Sequence, residues 1–62
     1  MKSRIMKSAR MLKGLSQHGL AERVGCSEAA VSRIETGRAS PDRELKQRIA
    51  NELEIRTWEV GL

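Results

Sequence analysis

Residues 15–37 read Leu15-Ser16-Gln17-His18-Gly19-Leu20-Ala21-Glu22-Arg23-Val24-Gly25-Cys26-Ser27-Glu28-Ala29-Ala30-Val31-Ser32-Arg33-Ile34-Glu35-Thr36-Gly37, and the punctuation of this stretch decides the fold. Ser16 suits a helix N-cap, because its hydroxyl can accept from a backbone N–H that the first turn leaves without a partner. Leu15 before it and Leu20 inside it have the spacing of a hydrophobic staple. The Glu usual at the third helical position is absent; Gly19 stands there, at a cost of up to ~1 kcal/mol against Ala. Leu20, Ala21 and Val24 form the inward face, and Gly25 ends the helix. Only Gly25 and Cys26 separate it from Ser27, which suits the cap of a third helix running to Glu35. Val31 and Ile34 are the inward residues of that helix, helped by Ala30.

Upstream, residues 3–13 read as a first helix with Ile5, Met6, Ala9 and Leu12 on one broad apolar stripe, stopped by Gly14. Downstream of Gly37, Ser40 is the expected cap of a fourth helix, with Pro41 at its first position and Asp42 and Glu44 near the positive end of its dipole. Leu45, Ile49 and Leu53 recur at i, i+4 and i+8, so this helix is amphipathic. Ile55, Trp58, Val60 and Leu62 form a short apolar tail with room for one last turn opened by Thr57. No segment alternates with period two. The expected fold is all-α, a compact bundle of four to five short helices in one domain over residues 1–62.

Composition narrows the function classes. A 62-residue domain buries only ~60% of the surface its unfolded chain exposes, and this one has no Phe or Tyr and a single Trp. No apolar run approaches the length of a membrane span or an export signal, so membrane partners are not expected, and a reducing cytoplasm is the expected setting. Cys26 lacks a partner thiol and reads as a half-buried filler. His18 reads as a solvated or phosphate-side residue; with Cys26 it makes no metal site, and no cofactor or small-molecule ligand is implied. The methionines Met1, Met6 and Met11 read as gap-fillers. There is no phosphate-cradling glycine loop, no carboxylate pair in a plausible pocket and no Ser/His/Asp setting, so the chain does not read as an enzyme. Trp58 alone offers no platform for stacking successive bases, which disfavours single strands and RNA.

The net charge of +4 is unevenly spread. Residues 1–13 carry Lys2, Arg4, Lys7, Arg10 and Lys13 with no acid, whereas residues 49–62 carry Arg56 against Glu52, Glu54 and Glu59. A basic side of this kind suits phosphates, although the same charges also suit an ordinary solvated surface, and Lys2 and Lys7 are at best distant phosphate partners. The tight Gly25-Cys26 turn makes the second and third helices an αα-corner, which holds one helix proud of the domain. Ser27, Glu28, Ala29, Ser32, Arg33 and Thr36 then point outward. Small and polar side chains with one arginine fit a major groove ~12 Å wide.

The stretch from Leu15 to Ser27, followed by Val31-Ser32-Arg33-Ile34-Glu35-Thr36-Gly37, resembles the phage repressor/Cro helix-turn-helix family. The likeness continues through Ser40-Pro41 and Ile49-Ala50 to Leu53 and Ile55, with the helix-turn-helix core at about residues 17–36. The resemblance implies a transcription regulator that binds double-stranded DNA. Ser27, Glu28, Ala29, Ser32 and Arg33 fall on the base-reading positions of the recognition helix. Arg33 would contact guanine, Ala29 a thymine methyl, and Glu28 either cytosine N4 or, by repulsion, the exclusion of wrong sites. Gln17 matches the family's phosphate-contacting glutamine, and Thr36, Arg38, Ser40 and Arg43 lie on the segment that follows the DNA backbone. Arg10 and Glu35 match a structural ion pair. The sequence departs from the family at Gly19 and at Glu54, where a glycine is common. Its end at Leu62 leaves no ligand-sensing domain, which suggests a minimal regulator or an isolated DNA-binding domain.

One helix reads few bases, so the chain is expected to act as a homodimer, formed in solution or only on DNA, on a pseudo-palindromic operator. The apolar tail (Ile55, Trp58, Val60, Leu62) is the expected dimer surface. Phage or prophage origin and a prokaryotic or phage-infected cell go with this reading. Two rivals stay open: an antitoxin-like protein-interaction module with secondary DNA binding, and a non-specific polyanion or membrane-surface binder using the basic first helix.

Overall fold

The start and stop signals of the central stretch act where they stand. The computed structural model describes residues 5–61, in which four helices follow in order: α1 (Ile5–Leu12), α2 (Gln17–Val24), α3 (Glu28–Glu35) and α4 (Arg43–Leu53), then a single 3-10 turn at Thr57–Glu59. The described residues contain no strand, so the fold is all-α, and none of their helices is long and apolar enough to cross a membrane. Met1, Lys2, Arg4 and Leu62, named above, lie outside the described residues.

Ser16 Oγ accepts from the Gly19 N–H at 2.9 Å, and Ser27 Oγ accepts from the Ala30 N–H at 3.1 Å, so both central helices open on serine caps. The fourth opens differently from expectation. Asp42, not Ser40, is its cap, accepting from the Leu45 N–H at 2.8 Å, and Ser40 and Pro41 remain in the preceding loop. Two good capping residues stand two positions apart here, and the carboxylate has the advantage of full charge at the positive end of the dipole.

All four helices stop in one way. A left-handed residue follows the last turn, at Gly14 (φ 72°), Gly25 (φ 79°), Gly37 (φ 78°) and Glu54 (φ 58°). The next N–H then bonds back five residues: Leu15 to the Arg10 carbonyl (3.1 Å), Cys26 to Ala21 (3.0 Å), Arg38 to Arg33 (2.8 Å) and Ile55 to Ala50 (3.0 Å). Three stops use the residue without a Cβ; the fourth holds a glutamate in a conformation that costs an L-residue ~1–2 kcal/mol.

These stops fold the helices back around one core of Met6, Leu20, Val24, Val31, Ile34, Ile49 and Leu53, closed by Ala21, Ala50 and Val60. Leu12 is not part of it and stands 88% exposed. At roughly 100° per residue, Met6, Ala9 and Arg10 share one side of α1, and Leu12 lies about a third of a turn away. Arg10, not Leu12, completes the inward side. The apolar tail also divides. The 3-10 turn sends Val60 into the chain's own core, leaves Ile55 half-buried and exposes Trp58.

Candidate nucleic-acid interface

Buried Val31 and Ile34 fix α3 from behind and so determine which residues it presents. Ser27, Glu28, Ala29 and Arg33 are exposed, and Ser32 is half-buried. Four of the five expected base-reading residues are therefore open to solvent, and the fifth sits at the margin. Glu28 occupies the first turn of α3, where its charge favours the helix dipole. Thr36 caps the other end. Its hydroxyl lies 3.0 Å from the Ser32 carbonyl and 3.2 Å from that of Arg33, so this proton is engaged within the helix.

Beyond α3, Arg38 and Ser40 are exposed on the loop, and Arg43 is exposed at the first position of α4. Several cations elsewhere are paired, although exposed Lys7 and Arg56 have no carboxylate within salt-bridge distance among the described residues. Lys13 pairs with Glu54, Arg23 with Glu52 at 3.1 Å, and Arg48 with Glu44 at 3.0 Å. Arg33, Arg38, Arg43 and Lys46 have no carboxylate within salt-bridge distance among the described residues. These four cations lie in one run of chain, and no carboxylate of the described residues neutralises them. The sequence reading passed over Lys46; its signal is the i, i+3 spacing from Arg43, which puts the two on neighbouring parts of α4.

Gln17 opens α2, but its side chain turns inward. Its Nε2 donates to Glu35 Oε1 at 3.0 Å. The same carboxylate receives Arg10 Nε at 2.7 Å and, more weakly, Arg10 Nη2 at 3.4 Å, while Arg10 Nη1 donates to the Leu15 carbonyl at 2.8 Å. One connected network therefore joins α1, the α1–α2 connection, the start of α2 and the last residue of α3.

His18 lies between two carboxylates, 3.4 Å from Glu22 and 3.9 Å from Glu28, all three exposed at the edge of the α2–α3 corner. Cys26 is half-buried in the turn, and burial pushes its thiol above the ordinary 9.0, which keeps it protonated at neutral pH. A polar cleft of about 360 Å³, lined by Lys13, Leu15, Arg23, Asn51, Glu52 and Glu54, lies where α1, α2 and α4 end. Its two cations are already paired with its two acids.

The profile of the helix-turn-helix family matches residues 6–57, a span that takes in α2, α3 and α4 whole and all but the first residue of α1. No solved structure matches the chain.

Proposed function

The chain belongs to the helix-turn-helix family and is a DNA-binding transcription regulator; from that premise we propose that it works as a homodimer, reading a pseudo-palindromic operator with α3 in the manner of the phage repressor/Cro proteins it resembles. The observation that carries this reading is the exposed face of α3, continued by the unpaired cations Arg33, Arg38, Arg43 and Lys46. Ser27, Glu28, Ala29, Ser32 and Arg33 are assigned to the bases, and a bidentate Arg33–guanine contact is worth ~1–3 kcal/mol of discrimination. Gln17, Thr36, Arg38, Ser40 and Arg43, with Lys46 added, are assigned to the backbone. Thr36 would serve there by accepting or after releasing its internal bond. The partner is duplex DNA, and the setting is the cytoplasm of a prokaryotic or phage-infected cell.

The size of the domain supports two protomers per site. Its longest extent is 28 Å, whereas half-sites one helical turn apart lie ~34 Å from each other. One copy therefore reaches one half-site. Exposed Trp58, with half-buried Ile55 three residues before it in the chain, is the apolar surface proposed to join the copies; Val60 can add little from inside its own core. Sedimentation of the protein with a duplex carrying its selected site tests the arrangement. Two protomers per duplex are expected, and a saturating ratio of one contradicts the dimer.

A further inference from the structure

The carboxylate of Glu35 is shared between Arg10 and Gln17, two residues of very different surroundings. The Arg10 and Glu35 side chains are almost wholly buried, whereas Gln17 is half-buried at the first position of α2. We infer that Glu35 is a positioning residue for DNA binding: it holds the Gln17 side-chain amide ready to donate to a phosphate oxygen, with Arg10 cancelling its charge. The inference rests on the reading of Gln17 as a backbone contact.

The chemistry of the groups supports a bridge. Because the acceptor is a carboxylate, the side of the amide facing it must be the NH₂. That group has two protons. One goes to Glu35 Oε1 and the other meets no acceptor among the described residues, so a phosphate can be bound without breaking the internal bond. A free glutamine samples many rotamers, and ordering it on binding opposes association. The bond to Glu35 removes much of that cost before DNA arrives.

A carboxylate behind a phosphate contact would ordinarily repel the phosphate. Here Arg10 Nε lies 2.7 Å from Oε2, and Arg10 is itself held by the Leu15 carbonyl at 2.8 Å, so the anchor is a neutral pair fixed to the α1–α2 connection. Glu35 is also the last residue of α3. The backbone contact is thereby tied to the recognition helix, and its phosphate register is set by the same residue that closes α3.

The test is a double-mutant cycle on affinity for the selected duplex, using Gln17→Ala, Glu35→Gln and the two combined. An amide at position 35 keeps a single, uncharged acceptor oxygen in place of the two carboxylate oxygens that now serve Arg10 and Gln17, so the charge-assisted bond that orients Gln17 is weakened. Should that variant not fold, R10M/E35M removes the acceptor while leaving no buried orphan charge. Each variant is expected to lose about 3- to 10-fold in affinity, the size of one hydrogen bond. Adding Gln17→Ala to either acid variant should cause no further loss. Base preference should stay as in the wild type, and so should salt dependence for Gln17→Ala and R10M/E35M, which leave the net charge unchanged, because a neutral amide releases no counterion. Losses that multiply in the combined variant, or wild-type affinity in a folded acid variant, overturn the inference. Wild-type affinity of Gln17→Ala also overturns it, with the DNA-binding reading intact. A parent chain that binds no duplex overturns both.

Discussion

Arg10 Nε meets Glu35 Oε2 at 2.7 Å across 25 positions of sequence, with the two side chains only 9% and 5% exposed. Removing one partner leaves the other charged and buried, a loss of ~3–5 kcal/mol. In a domain of this size Arg10→Met should lower the melting temperature by well over ~10 °C. Arg10 touches no base in the proposed complex, so base preference should be unchanged. R10M/E35M, which removes both charges, should melt close to the wild type. Thermal denaturation followed by circular dichroism checks both, and altered base preference with normal stability would contradict the structural role.

Glu54 closes α4 in the left-handed region at φ 58°, where the other three helices use glycine. Glu54→Gly should therefore raise stability by ~1 kcal/mol through relief of that conformation. The exposed pair with Lys13 that it loses contributes little. A melting temperature below that of the wild type would show that the ion pair outweighs the backbone.

The same residue supplies a pH signature. A hydrogen bond from Lys13, together with its charge, holds the Glu54 carboxyl below its ordinary 4.5. A lowered value means that the folded state favours the ionised form, so the contribution is complete above about pH 4.5 and disappears on acidification. Comparing the wild type with Glu54→Gln keeps the backbone conformation and removes only the charge. The stability difference should be constant at neutral pH and close as the pH falls below 4.5. A difference that widens on acidification would contradict the assignment.

Trp58 is 64% exposed on the turn after α4. Trp58→Ala should leave the melting temperature of the free chain nearly unchanged and weaken cooperative binding of two protomers to one duplex. An unchanged dimer constant, measured by sedimentation, would remove Trp58 from the interface.

What the sequence made legible was local. Ser16, Gly25 and Ser27 each act within a few residues, and their hydrogen bonds close where side-chain chemistry alone requires them. The Ser40–Asp42 ambiguity is of another kind, because both residues can cap and either start presents Ile49 and Leu53 to the core. Leu12 stands in solvent and Val60 enters the chain's own core because an apolar residue announces that it wants a partner, not which surface supplies one. Arg10 is buried on the side of α1 where the stripe suggested Leu12 would help, and only the position of Glu35 on α3 explains it. The exposure of four of the five residues proposed to read bases follows from Val31 and Ile34 facing inward. The bond between Gln17 and Glu35 did not follow from any local signal, since it depends on how α2 and α3 cross.

The central claim is that α3 reads bases. Selection of binding sites from random duplex DNA at about 0.15 M salt, near physiological ionic strength, tests it most directly. The account predicts an enriched pseudo-palindrome with half-sites one helical turn apart, and relaxed preference at a single position of each half-site for Arg33→Ala. Salt-sensitive binding with no enriched sequence, unchanged by Arg33→Ala, would contradict it.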